Sequence, residues 1–181
     1  MLKIVVKGKE LYNEKTGEFS WSKDTVLQLE HSLISLSKWE AKYHKPFLKN
    51  TDSMSYEELK DYIRCMTITQ NIDPLVYDCL SEDNIMSIKN YMEDQMTATW
   101  FNEKNNPKSR QKVITAELIY YWMISLQIPV EFEKWHLNRL LTLIRVCNSE
   151  NTPKKKMKER DVMQQNAALN AARRKAGGVK R

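Results

Sequence analysis

The sequence is poor in the residues that interrupt regular secondary structure. Its 181 residues include 4 glycines and 5 prolines. A sandwich or barrel of many short strands uses these residues in its closely spaced turns, so their scarcity favours long helices. The phosphate-binding patterns G-x-x-x-x-G-K-S/T and G-x-G-x-x-G do not occur, which argues against a nucleotide-binding loop.

Long apolar runs are also absent. The longest, residues 118–124, is far shorter than the roughly 20 residues that a membrane-spanning helix needs, so we expect no membrane span. The short apolar run near the N-terminus lacks a small-residue cleavage site, and we expect no signal peptide. The three cysteines, Cys65, Cys79 and Cys147, lie far apart in apolar helical contexts. We expect them to be reduced thiols in the core.

Basic residues are concentrated at the C-terminal end. The formal net charge is +6, but residues 154–181 contain ten basic and two acidic side chains, which leaves 19 basic and 21 acidic ones before them. We therefore predict a helical domain with an N-terminal β-ribbon over residues 1–150, and a basic C-terminal extension over residues 151–181. Residues 157–176 are rich in helix formers but lack a strong apolar face, which predicts a solvated helix that gains order on a partner.

The N-terminal segment has the pattern of a β-hairpin. Residues 3–7 are a β-branched run, and a polar turn ending at Gly17 separates residues 10–12 from residues 18–21. An isolated two-stranded ribbon is marginally stable, so we expect this one to pack on the helices or on a partner.

A helix is predicted over residues 24–43, with Ser22 as its N-cap. At 3.6 residues per turn its polar residues fall on one stripe and its apolar residues on a broad opposite arc. The polar stripe consists of His31, Ser35, Lys38 and Lys42.

Two carboxylates, Glu30 and Glu40, interrupt the apolar arc of this predicted helix. An unpaired buried charge is costly, so each carboxylate must be paired or lie at the rim of the core. Arg64 and Arg139 stand among apolar neighbours and are the predicted partners.

Three shorter helices follow with clear start signals. Residues 55–58 read Ser-Tyr-Glu-Glu, a capping box. Asp73-Pro74 places proline in the first turn of a short helix, and Ser81 precedes two acidic residues at the start of another. Beyond them, residues 97–113 predict either a second hairpin that protrudes between helices or a disordered connector.

The densest apolar segment, residues 114–147, divides at Pro129 and predicts a buried helical hairpin. Thr115 is the expected cap of its first helix, whose apolar residues nearly encircle the axis and predict a central, buried position. The second helix has one polar stripe. His136 falls on its apolar side, and we expect it to be a hydrogen-bonded packing residue.

Catalytic and metal-binding patterns are missing. The three histidines and three cysteines show no metal-ligand spacing, and neither H-E-x-x-H nor G-x-S-x-G occurs. Adjacent acids such as Glu57-Glu58 are explained by favourable interaction with helix dipoles. We therefore expect no enzyme, no cofactor and no metal site.

Several segments resemble the tail assembly chaperones of tailed bacteriophages. They are ELIYYWMISLQIPVEFEKWHLNRLLTLIRVCN, the NAALNAARRK that follows a proline-lysine linker, and, in the N-terminal half, QLEHSLISLSKWEAKYHKPFL and YIRCMTITQNIDP. The resemblance implies a largely helical, non-enzymatic protein of the infected bacterial cytoplasm. It would bind the tape measure protein, help recruit tail tube subunits, and be absent from the mature virion; self-association is left open beside these partners.

Two alternatives remain open at this point: a virion structural protein, and an accessory protein that binds nucleic acid through the basic tail. The tail has no aromatic residue for stacking on bases, which disfavours the second. The candidate partner-binding residues are aromatic residues of the N-terminal ribbon and of the segment 97–113, and basic residues of the C-terminal extension. They are Trp21, Trp100, Phe101, Lys154, Lys155, Lys156, Arg173, Arg174 and Lys175.

Overall fold

A computed structural model describes residues 1–13, 17–101, 113–151 and 159–177. The chain is mainly α-helical, as predicted, with its β-structure near the N-terminus. It divides into two compact units, Met1–Asn148 and Ser149–Arg181.

The N-terminal β-structure is longer than predicted. Strand β1 (Leu2–Val6) pairs with β4 (Thr25–Leu29), and β2 (Glu10–Asn13) pairs with β3 (Glu18–Trp21), both antiparallel. The same register runs through both pairs, from Leu2 opposite Leu29 to Asn13 opposite Glu18. The two pairs are therefore the inner and outer halves of one interrupted hairpin.

Gly8 marks the interruption between these halves. A Cβ atom at this position would lie 2.0 Å from the carbonyl oxygen of Ser22, which only glycine avoids. The amide of Gly8 donates to Oδ1 of Asp24 at 2.7 Å, and the amide of Ser22 donates to the carbonyl of Lys9 at 3.0 Å. The chain thus keeps its backbone hydrogen-bonded through the break.

The predicted start of the first helix is wrong. Residues 25–29 form β4, and helix α1 spans Leu33–Tyr43 with Ser32, not Ser22, as its N-cap. The reason is visible in β4: Leu27 and Leu29 alternate with polar or exposed residues and are fully buried, which is the period of a strand. This five-residue alternation is short enough to be counted as part of the longer helical pattern, which explains the error.

The helices that follow α1, up to residue 151, are α2 (Phe47–Asn50), α3 (Tyr56–Met66), α4 (Glu82–Glu93), α5 (Ala116–Ser125) and α6 (Leu137–Asn151). Short 3-10 helices span Thr51–Ser53, Pro74–Cys79 and Val130–Lys134, and the second unit contains α7 (Glu159–Gly177). The predicted starts are confirmed for three of these elements: the Ser55–Glu58 capping box, the start at Asp73-Pro74 with proline in the first turn, and the Ser81 cap.

The core of the first unit is built around α1, which packs against α3 and α5. Leu33, Leu36 and Trp39 of α1 are fully buried. They meet Tyr62 and Ile63 of α3 in the same apolar cluster. Two members of the predicted polar stripe, His31 and Ser35, are also buried here, so that part of the prediction is wrong.

The predicted hairpin over residues 114–147 needs two corrections. Helix α5 is not encircled by the core, because Tyr121 is 63% and Ile124 74% exposed. The segment after Pro129 is not one helix: a 3-10 helix ends at Lys134, and α6 begins at Leu137. His136, between the two, forms an isolated β-bridge with Ser32, which fixes the chain in an extended conformation there.

Other predictions fall partly outside the described residues. The second hairpin proposed near 97–113 lies largely in this category, since residues 102–112 are not described, and residues 97–101 form no strand. Of the cysteines, Cys79 is buried, while Cys65 and Cys147 are half-buried.

Candidate protein-binding site

Exposed apolar side chains lie on α5 and at the start of the 3-10 helix that follows it. Tyr121 and Ile124 lie about one helical turn apart on the side of α5 that faces away from the buried Ala116, Ile119 and Met123. Val130, just beyond α5, is 61% exposed. We call Tyr121, Ile124 and Val130 the α5 outer face. Large exposed apolar patches mark contact sites for proteins or ligands, and Tyr121 and Ile124 are neighbours on the surface of α5.

Acidic groups border the α5 outer face. Glu117 lies one turn before Tyr121 on α5, and Glu131 follows Val130; both are exposed. Glu133 accepts a hydrogen bond from the phenol of Tyr120 at 2.9 Å. Burial and this carboxylate raise the pKa of Tyr120 to about 12. The border therefore combines negative charge with apolar side chains, which suits a basic amphipathic segment.

The buried carboxylate of Glu40 fixes the start of α5. Its Oε2 accepts from the amide of Ala116 at 2.7 Å, and its Oε1 accepts from the amide of Phe47, also at 2.7 Å. Burial raises the pKa of this carboxyl, against the two backbone hydrogen bonds that lower it. Glu40 thereby binds the first turns of α2 and α5 to α1.

The predicted arginine partners of the two core carboxylates are wrong. Among the described residues, Glu40 is bound by backbone amides, and Glu30 accepts from the phenol of Tyr91 at 2.6 Å and lies 2.9 Å from the amino group of Met1. Arg64 binds Asp61 at 3.0 Å instead. The guanidinium of Arg139 lies 4.1 Å from the centre of the Trp135 ring. A search among arginine side chains overlooks backbone amides, a phenol and the N-terminal amino group, which explains the error.

Two buried histidines, which lie just before the starts of α1 and α6, are in contact with each other. The rings of His31 and His136 are 5.2 Å apart in a T-shaped arrangement. Nδ1 of His31 is 2.5 Å from the phenol oxygen of Tyr62, and Nε2 of His136 donates to the carbonyl of Tyr91 at 2.9 Å. The role predicted for His136, a hydrogen-bonded packing residue, is confirmed. Burial lowers the pKa of His136, and burial together with His136 lowers the pKa of His31 to about 3.

The aromatic candidates lie on separate elements. Trp21, on β3, is 68% exposed and shares a ribbon face with Tyr12 and Phe19, whose ring centres are 5.0 Å apart. Trp100 is 76% exposed and lines a cleft with Phe101, which has the guanidinium of Arg145 at 4.8 Å from its ring centre. Trp21 is not among the residues that line this cleft.

The cationic candidates belong to the second unit. Arg173 and Arg174 are exposed on α7, and Lys175 lies within the same helix. Lys154, Lys155 and Lys156 are outside the described residues. The α5 outer face, by contrast, was missed as a contact site because sequence analysis assigned its residues to the core. The available signal was that α5 carries apolar residues all round its axis, more than a helix with one buried side needs.

Comparison with known proteins gives no match to this chain among protein families, curated proteins or solved structures. Within residues 1–13, 17–101, 113–151 and 159–177, no helix has the length and apolarity required to cross a bilayer. The same residues bring together no group of three or more histidine, cysteine or acidic side chains that could hold a metal ion.

Proposed function

We propose that this protein is a phage tail assembly chaperone that binds the tape measure protein and helps recruit tail tube subunits. The observation that carries the proposal is the α5 outer face. Tyr121, Ile124 and Val130 expose apolar area on a surface that the described core leaves open. A helical client can bury the apolar side of its own helix on this surface. Amphipathic helices bind many proteins through their apolar side in this way.

The charge around this surface defines the kind of client segment. Glu117 and Glu131 favour a helix with lysine or arginine beside its apolar stripe. The aromatic face of the ribbon, Tyr12, Phe19 and Trp21, supplies a separate contact surface on the same unit. Two surfaces are what a protein needs to hold a client and a second subunit at the same time.

Co-expression with the tape measure protein of the same phage tests the proposal. Affinity purification of the wild-type chain should recover the tape measure protein, and Ile124→Glu should abolish that recovery. Met86→Glu on α4 is the matched control, because Met86 is a similarly exposed apolar residue (60%) away from α5. Loss of recovery with both variants, or with neither, would contradict the role of the α5 outer face. No recovery with the wild-type chain would contradict the chaperone function.

Peptide mass spectrometry of purified virions separates a chaperone from a structural protein. A chaperone is absent from finished particles, whereas a tail or head component is present in stoichiometric amounts. Detection at stoichiometric level would replace the proposed function with the structural one. The measurement is independent of any substitution in the α5 outer face.

A further inference from the structure

A cavity of about 520 Å³ opens between α2 and α4. Half of the residues that line it are apolar: Phe47, Leu48, Met54, Leu59 and Met92. Lys89 and Glu93, both exposed, stand on α4 at the same cavity. Pockets of this size and character bind small molecules or single side chains in many proteins.

The polar groups of the cavity other than the two charged ones are largely occupied. The hydroxyl of Thr51 donates to the carbonyl of Phe47 at 3.2 Å. The side-chain amide of Asn138 donates to the carbonyls of Met92 and Asp94 at 2.9 and 2.8 Å. His31 is different. It lines the cavity at 3% exposure, and no hydrogen bond among the described residues uses its Nε2.

The neighbours of His31 determine which of its nitrogens carries the proton. The hydroxyl of Ser35 donates to the carbonyl of Ser32 at 2.7 Å, so the single phenolic hydrogen of Tyr62 has two acceptors within reach, Nδ1 of His31 at 2.5 Å and Oγ of Ser35 at 3.4 Å; we assign it to the shorter contact, Nδ1. Burial raises the pKa of Tyr62, which keeps its phenol protonated. The neutral imidazole then has its own hydrogen on Nε2, where it can donate to a ligand.

We propose that this cavity binds an aromatic ring that carries an oxygen acceptor, such as the phenol of a tyrosine. The ring packs among Phe47, Met54 and Met92, and its oxygen accepts a hydrogen bond from Nε2 of His31. Aromatic rings and methionine sulfurs attract one another, and flexible methionines adapt to the shape of a ligand. The proposal does not depend on the α5 outer face or on the chaperone function.

Methyl NMR of the full chain labelled at methionine Cε tests the site with two probes of nearly equal shape, p-cresol and toluene. We expect p-cresol to shift the Met54 and Met92 signals in a saturable way and to bind about fivefold more tightly than toluene, the effect of one net hydrogen bond. Absence of saturable shifts with p-cresol would overturn the site. Equal affinity for both probes would overturn the hydrogen bond to His31.

Substitutions make the assignment specific. Met54→Trp should fill the half-buried wall of the cavity and abolish p-cresol binding, whereas Met86→Trp, on the exposed surface of α4, should leave it unchanged. His31→Phe should retain binding of both probes and remove the preference for p-cresol. If Met54→Trp binds p-cresol with wild-type affinity, the proposal is overturned. This test remains valid even if His31→Phe does not fold.

The ring can belong to a free small molecule or to a protein partner. N-acetyl-tyrosinamide, titrated against the same methionine signals, distinguishes these sources. Affinity equal to or above that of p-cresol supports a tyrosine side chain presented by a protein, whose backbone lies near Lys89 and Glu93. Weaker binding than p-cresol supports a free phenolic molecule. Both results apply only if p-cresol gives saturable shifts. If it does not, the site is rejected.

Discussion

The burial of helices α1 and α5 is the opposite of what their compositions predict. Helix α5, AELIYYWMIS, is apolar almost all round, whereas α1, LISLSKWEAKY, contains two serines, a glutamate and two lysines. Yet α1 is the helix around which the core is built, and α5 leaves Tyr121 and Ile124 exposed. Composition alone therefore does not rank helices by depth in this fold.

The reversal depends on local partners for the polar groups of α1. Ser35 exchanges hydrogen bonds with Ser32 at the start of the helix, and Glu40 accepts two backbone amides near its end. A polar side chain whose hydrogen bonds are satisfied inside the protein can be buried at small net cost. Excess apolar area on a peripheral helix, in turn, indicates a surface for a partner.

The largest expected effect comes from removing the carboxylate of α1. Glu40→Ala leaves the amides of Phe47 and Ala116 without acceptors in a buried site, and we expect it to lower the free energy of unfolding by about 4 kcal/mol. Chemical denaturation monitored by circular dichroism measures this loss. Glu117→Ala, an exposed acid on α5, is the control and should change stability by less than about 0.5 kcal/mol. Equal effects of the two substitutions would refute the role assigned to Glu40.

A direct comparison of the two helices uses one truncation in each. Leu36→Ala removes a fully buried side chain of α1, so we expect a loss of about 3 kcal/mol in the free energy of unfolding. Ile124→Ala removes an exposed side chain of α5 and should cost less than about 0.5 kcal/mol. The same denaturation experiment gives both values. If Ile124→Ala were the more destabilising change, α5 and not α1 would be the central helix.

Local signals in the sequence were sufficient for part of the fold. The capping box at Ser55, the start at Asp73-Pro74 and the cap at Ser81 were predicted at the correct residues, because such motifs need only neighbours within one helical turn. The pairing of β4 with β1 was missed, since it joins residues 19 (Val6 and Thr25) to 27 (Leu2 and Leu29) positions apart and its five-residue pattern resembles part of a helix.

The sites depend still more on tertiary structure. Exposure of Trp21 and Trp100 agrees with their choice as candidate contact residues, but their part in binding remains a prediction. The exposure of Tyr121 and Ile124 could not be predicted, because it depends on how many elements pack around α5. The burial of His31 follows from α1 starting at Leu33, which puts this histidine between β4 and the helix.

Acidification should weaken the packing at the start of α1. The pKa of His31 is lowered to about 3 in the folded state, against about 6.5 for an unfolded histidine, so the unfolded chain binds more protons between these values. Stability is therefore complete above pH 6.5 and is lost as the pH falls, by about 2 kcal/mol between pH 7 and pH 5 from this group. Urea denaturation at several pH values measures the slope. In His31→Gln the slope should decrease, and an unchanged slope would show that other groups cause it.

The smallest expected difference concerns how α3 and α5 begin. The hydroxyl of Ser55 accepts from the amide of Glu58 at 3.2 Å, so Ser55→Ala should cost about 1 kcal/mol. Thr115, the predicted cap of α5, makes no such hydrogen bond; the carboxylate of Glu40 on α1 instead accepts from the amide of Ala116, the first residue of α5. We expect Thr115→Ala, as a single substitution, to lower the free energy of unfolding by less than about 0.5 kcal/mol. Denaturation of both variants tests the difference, and a loss at Thr115 equal to that at Ser55 would mean that α5 depends on its own cap. The start of the peripheral helix would then be independent of the central one, contrary to the arrangement in which the carboxylate of α1 holds α5 in place.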